Sequence, residues 1–341
     1  MVNTMSKRQL SPGPESTKQT AKRARAADKP ALRKHERFWL VDGNAVIELD
    51  GISFRVHQSW LAQHSKFIAK LLPEKIEETK FVVCEKLNAI DFEALLLYYE
   101  NPGDYRNNID SATLISLIRA AITLGFTSDY VWLVKELEAL WPSKLEALPV
   151  NPEPRPDAPQ LAALARTFNI DTLLKPAFYD MARTSGFGLD KLEEAEKFSH
   201  ADMLRLVRMR EYLGDTWAQV ATREDPTLVC QNLRVAQSSS STRTSDSTTS
   251  VGVARNCLSC FSETARREAW VRLVHDSGTF TRYRYDPLCG LAALINVKWT
   301  DDWCKNCKEK RQAEWREMQA SIWEKIDEYL RKELPVEVAL P

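Results

Sequence analysis

Two alternating apolar runs meet at Asp50-Gly51, and that dipeptide constrains the first third of the chain more than any other feature. A two-residue type I′ turn needs positive φ at both central positions, which Asp-Gly supplies. Folding there sets Leu49 against Ile52, Ile47 against Phe54 and Ala45 against Val56. One face of the hairpin is then apolar, while Glu48, Ser53 and Arg55 take the other. A slip of one residue would turn the apolar set into water, so the register is specified. Past Val56 the strand period gives way to a helical one: Trp60, Leu61, His64, Phe67, Ile68, Leu71 and Leu72 follow i, i+3, i+4, i+7 spacing. Ser65 can cap a second short helix and so split this segment in two.

Asn44-x-Val46-Ile47, Phe54-Arg55-Val56-His57, Leu61 and Ser65-x-Phe67 together describe a hairpin followed by paired short helices. This pattern resembles the start of a BTB/POZ domain, from about Arg37 to about Leu148. The long cysteine-containing region that follows is similar to that of fungal BTB proteins. The resemblance implies an α+β fold, with a hairpin and small sheet packed by helices, ahead of a mainly helical C-terminal domain. It also implies an interaction module and not an enzyme, self-associating or pairing with another BTB protein through the hairpin and first helix. Phe38, Trp39 and Trp60 fall where such dimer contacts would lie, and large aromatics dominate interfaces; Trp60 reads equally well as core. His57 takes the motif's histidine position, where the resemblance implies packing and hydrogen bonding. Many BTB domains carry a charged pair lining a pocket near the dimer interface. The matching positions here are Asn44 and Gln58, a neutral amide pair that avoids burying two charges. Two alternatives stay open: a substrate adaptor for a cullin-based ubiquitin ligase, with the helices around Phe92–Tyr99 and Asp110–Gly125 facing the cullin, and a nuclear transcription or chromatin regulator.

Further along, residues 80–84 read as a third strand. Asp91 is expected to cap a helix with Phe92, Leu95, Leu96 and Tyr99 inward. Asp110 or Ser111 should cap the next, with Leu114, Leu117, Ile118 and Ala121 inward and Gly125 as its stop. Ser128 should open another carrying Val131, Val134 and Leu137. The domain reading is a basic disordered tail at 1–36, the BTB/POZ-like domain at 37–148, a proline-rich linker at 149–159, and a helical domain at 160–334. A disordered insertion is expected at 237–252, where eleven of the thirteen residues 238–250 are Ser or Thr. A final helix at 308–332 should turn Trp315, Met318, Ile322, Ile326 and Tyr329 inward.

The formal net charge is zero, but residues 1–37 hold ten Lys/Arg against three Asp/Glu. Lys7-Arg8 and Lys22-Arg23-Ala24-Arg25 are clusters of the kind import receptors read, or simply part of a solvated tail. The compensating acidity of the body argues against a DNA reader, which concentrates Lys/Arg on its folded module. No apolar run approaches a membrane span and no apolar stretch follows the N-terminus, so an intracellular protein, nuclear or cytoplasmic, is expected. No nucleophile elbow, phosphate loop or paired metalloprotease histidines occur.

Two CxxC pairs, Cys257/Cys260 and Cys304/Cys307, carry the only ligand chemistry. Four thiolates can close a tetrahedral structural zinc site, and Lys305, Lys308 and Lys310 would favour the ionised form. Forty-three residues separate the pairs, more than a compact zinc ribbon uses. Four buried thiols are the other reading.

Overall fold

The computed structural model describes residues 33–71, 79–81, 87–105, 109–148, 153–189, 195–196, 198–222, 263–299 and 303–331. The chain is α+β: a four-stranded sheet near the N-terminus, then helices. The expected tail at 1–32 and the Ser/Thr insertion at 237–252 lie outside the described residues.

The hairpin forms in the register its pattern requires. Strands β2 (Ala45–Leu49) and β3 (Ile52–Val56) pair Leu49 with Ile52, Ile47 with Phe54 and Ala45 with Val56. Asp50 and Gly51 both take positive φ, at 49° and 77°. Strand β1 (Arg33–Trp39) runs parallel to β3, and β4 (Thr79–Phe81) parallel to β2, giving the order β1-β3-β2-β4. β4 is the strand expected at 80–84; its residues past Phe81 lie outside the described set.

β1 corrects the expected tail, which was drawn through Glu36. Its sequence is too charged to show a strand period, and its register breaks between Lys34 and Trp39. The His35 ring explains how the strand persists across that break. Its Nδ1 accepts from the backbone N–H groups of Arg37 (3.2 Å) and Phe38 (3.1 Å), while the ring stacks on Phe54 at 4.6 Å between centroids.

Helices α1 (Gln58–His64) and α2 (Lys66–Leu71) are split at Ser65 as expected. The buried Ser65 Oγ accepts from Ile68 N at 3.0 Å and donates to the Leu124 carbonyl at 2.6 Å, so one hydroxyl caps α2 and ties it to the backbone at Leu124. In α3 (Ala89–Glu100) the cap is Asn88, whose Oδ1 accepts from Asp91 N, and not Asp91. Asp91 instead is buried against Arg119, 3.0 Å away. A short α4 (Pro102–Tyr105) precedes α5 (Ser111–Leu124), which has Asp110 as cap and Gly125 as its left-handed stop. In α6 (Tyr130–Leu140) the inward pair is Leu133 and Leu137, and Val131, expected inside, is 59% exposed.

A 3-10 turn at Leu145–Ala147 leads toward the proline-rich segment. Helix α7 (Ala158–Phe168) starts two residues earlier than the linker reading allowed, with Ala158 and Pro159 already buried. Asn169, in the left-handed region, breaks it from α8 (Asp171–Arg183). Then come α9 (His200–Thr222), α10 (Glu263–Asp276), α11 (Thr279–Arg282), α12 (Pro287–Ile295) and α13 (Lys305–Arg331). On α13, Trp323 is buried where Met318 was expected; Met318 is partly exposed. Among the described residues the buried side chains form one continuous cluster from Phe38 to Ile326. Trp323 Nε1 donates to the Ser143 carbonyl at 2.9 Å, so the last helix braces the end of the N-terminal unit.

Gly290 shows how tightly the helical part is packed. A Cβ there would stand 2.5 Å from the fully buried Trp217 ring, whose Nε1 donates to the Phe280 carbonyl. Gly290→Ala should destabilise the fold by roughly 1–3 kcal/mol through overpacking. Gly103→Ala, whose Cβ would meet only the Asn101 side chain at 3.7 Å, should leave the unfolding midpoint within error in the same denaturant titration.

Candidate functional site

The residues expected at a dimer interface are divided by the fold. Phe38 is buried at 7% exposure and belongs to the core, so it is withdrawn as a surface contact. Trp60 is half-buried, its ring edge-on to Tyr99 at 5.6 Å and beside His64 and Phe126. That ring packs partly against the core of its own chain. Trp39 stays half-exposed at the end of β1, with Lys34 Nζ 4.6 Å from its ring centroid.

Asn44 and Gln58 do come together, but as a clasp. Gln58 N donates to Asn44 Oδ1 and Gln58 Nε2 donates to the Asn44 carbonyl, both at 2.9 Å. Asn44 thereby satisfies the first backbone donor of α1, which has no side-chain cap from His57. Beside them His57 Nε2 lies 3.5 Å from Asp42 at the surface.

Cys304 and Cys307 are half-buried at the start of α13, close in sequence to Trp299, whose ring stands edge-on to Trp303 and stacks on Trp315. Cys257 and Cys260 lie outside the described residues. Among the described residues no group of three or more His, Cys, Asp or Glu is placed to hold a metal.

The densest polar chemistry was not anticipated from sequence. Arg183, on the last turn of α8, is buried between two carboxylates: its Nε donates to Asp180 Oδ1 at 2.7 Å and its Nη1 to Asp286 Oδ2 at 2.9 Å. Asp286 also accepts from the Tyr179 hydroxyl and from Cys289 N, the latter capping α12. Asp180 accepts from Arg155 N at 2.7 Å, and the Arg155 guanidinium covers the Trp141 ring while donating to the Leu140 carbonyl. Burial raises the Asp180 carboxyl above its ordinary range against the opposing pull of Arg183. For Arg183 burial works against the charge, but Asp286 and Asp180 outweigh it and hold the guanidinium firmly protonated. Burial, then the nearby Asp286, pushes the Cys289 thiol well up, which makes it a neutral packing group and not a nucleophile.

Tyr179 and Cys289 back a cleft of about 360 Å³ whose mouth lies between the 145–148 turn, α12 and α13. Nothing local in the sequence pairs residue 183 with residue 286. The one legible signal was Asp286-Pro287, a helix-start pair.

No family model, curated protein or solved structure matches the chain. Among the described residues no helix is long and apolar enough to cross a membrane.

Asp91 gives this part of the structure a pH signature. Burial outweighs Arg119 and raises its carboxyl above the ordinary value. The folded chain therefore holds a proton that the unfolded chain releases, so this site's contribution to stability falls as pH rises from about 4 through the folded pKa. Wild type should lose stability relative to Asp91→Asn between pH about 4 and about 7 in urea titrations. A constant difference across that range would refute the assignment.

Proposed function

We propose that this protein is an interaction scaffold of BTB/POZ-like type, associating through its N-terminal sheet with a second copy or a related chain while its helical part engages other partners. The observation that carries this reading is β1. Among the described residues it ends the sheet on one side with no strand beyond it. It bears exposed Arg33, Lys34, Glu36 and Arg37 and half-exposed Trp39. An unpaired edge offers a row of backbone donors and acceptors that another strand can satisfy, with Trp39 as aromatic anchor. The hairpin register, the Asn44–Gln58 clasp and the split helix at Ser65 support the same family reading. A cullin adaptor is the second reading, favoured by Phe67 and Val131, large apolar side chains that stand 57% and 59% exposed.

Because the core runs on into the helical part, association is tested on the full chain. Sedimentation at micromolar concentration should give twice the chain mass of 39.0 kDa, and Trp39→Asp should shift it toward monomer. A monomer at all concentrations would refute homotypic association. Loss of cullin binding by a Phe67→Ser/Val131→Ser variant that still sediments as wild type would favour the adaptor.

The helical part is proposed to hold one structural zinc through Cys257, Cys260, Cys304 and Cys307. Its support is chemical: four thiols in two CxxC pairs, the second beside Lys305, Lys308 and Lys310. Four thiolates leave no open position, so the ion would stabilise and not catalyse. Metal analysis should give about one zinc per chain, lost in Cys304→Ser together with a fall in melting temperature. Metal-free protein with an unchanged melt would leave the cysteines as packing thiols.

A further inference from the structure

The cleft in front of Tyr179 has the size and lining of a small-molecule site. Its volume of about 360 Å³ falls at the lower end of the usual range for such pockets. Its walls are apolar: Leu148, Leu288, Ala292, Ile295 and the Tyr179 ring. The polar groups that line it are few and of distinct kinds. Glu146 and Arg316 are both exposed, and neither has an ion-pair partner among the described residues. Asn296 Nδ2 donates to the Ala292 carbonyl at 2.9 Å and Gln319 Nε2 to the Leu288 carbonyl at 2.8 Å. Each amide thus engages one N–H with the backbone and keeps its second N–H and its oxygen. The Tyr179 hydroxyl is committed to Asp286.

The lining therefore offers one carboxylate that calls for a cation, one guanidinium that calls for an anion, two amides able to accept or donate, and an apolar interior. A simple fatty acid would leave Glu146 without a counter-ion, and a simple amine would leave Arg316 without one. We propose that the cleft binds a free apolar amino acid as its zwitterion, with the ammonium on Glu146 and the amide oxygens, the carboxylate on Arg316 and the side chain inside. This goes beyond the scaffold reading and does not depend on it.

Three probes sharing one ring separate the contributions: L-phenylalanine, 3-phenylpropionate, which lacks the ammonium, and phenethylamine, which lacks the carboxylate. Calorimetric titration of the full chain should show saturable binding of L-phenylalanine, with the other two at least about tenfold weaker. Arg316→Gln should weaken L-phenylalanine and 3-phenylpropionate about tenfold and leave phenethylamine unchanged; Glu146→Gln should do the reverse. Both side chains are exposed, so unchanged melting temperatures will verify that these variants fold. Ala292→Phe, which fills the cleft, should abolish binding of all three. Absence of saturable binding, equal affinity for the three probes, or binding that survives Ala292→Phe would overturn the proposal.

Discussion

A single buried guanidinium organises the middle of this molecule. Arg183 holds Asp180 from its own helix and Asp286 from the start of α12, more than a hundred residues along the chain. Each carboxylate has a further task. Asp286 caps α12 and accepts from Tyr179, and Asp180 fixes the Arg155 backbone, whose side chain closes the end of α6 at Leu140. A buried ion cluster contributes little net stability compared with well-packed apolar residues, whereas losing one member strands the others at a cost of about 3–5 kcal/mol. Its value here is therefore geometric: it admits one arrangement of α6, α8 and α12 and penalises the alternatives. Tyr179, held by Asp286, stands at the back of the cleft between the 145–148 turn, α12 and α13.

Around this cluster the helical part is built on indoles whose N–H groups reach carbonyls. Trp217 donates to Phe280, Trp270 to Val220 and Trp323 to Ser143. Large rings bury much apolar area, but the indole N–H needs a partner, so each pairing sets both the depth and the rotation of its helix. Trp270 and Trp315 pack at 5.3 Å with the buried Arg311 over the first ring, which ties α10 to α13. Gly290 is where this packing leaves no space for a side chain, against Trp217, while at Gly214 a Cβ would press on the Tyr285 ring at 3.2 Å.

What could be read from sequence was what is decided locally. The Asp50-Gly51 turn, the hairpin register, the Ser65 break and the Asp110 and Gly125 helix ends each depend on a handful of adjacent residues, and each is present. Strand β1 was missed because its first five residues are all charged or titratable and its irregular stretch is held by the His35 ring, a side-chain device with no periodicity. Phe38 was assigned to the surface for the same reason: without β1 there was no face for it to point into. The inward faces of α6 and α13 were each drawn with one residue that tertiary packing leaves out, Val131 and Met318. The Arg183 cluster joins residues too distant in sequence for any local pattern to pair them.

The Asn44–Gln58 clasp bears on how this chain can recognise a partner. Where a charged pair would project a field into a pocket, two amides spend a side-chain oxygen, a side-chain amide N–H and two backbone groups on each other. That corner is thus a helix cap that locks the start of α1 to the start of β2, with Gln58 almost wholly buried. Under the scaffold proposal, electrostatic discrimination, which sets partner choice more than affinity does, would come from elsewhere on the N-terminal unit. The proposed edge at β1 carries such charge: Arg33, Lys34 and Arg37 stand against the single acidic Glu36, with Arg37 already paired to Glu100 at 2.8 Å. A partner strand with acidic residues opposite Arg33 and Lys34 fits this edge, and a second copy of β1 brought in register would set like charges against each other. Homotypic pairing therefore favours a staggered or antiparallel alignment that places Glu36 of one chain near the basic residues of the other.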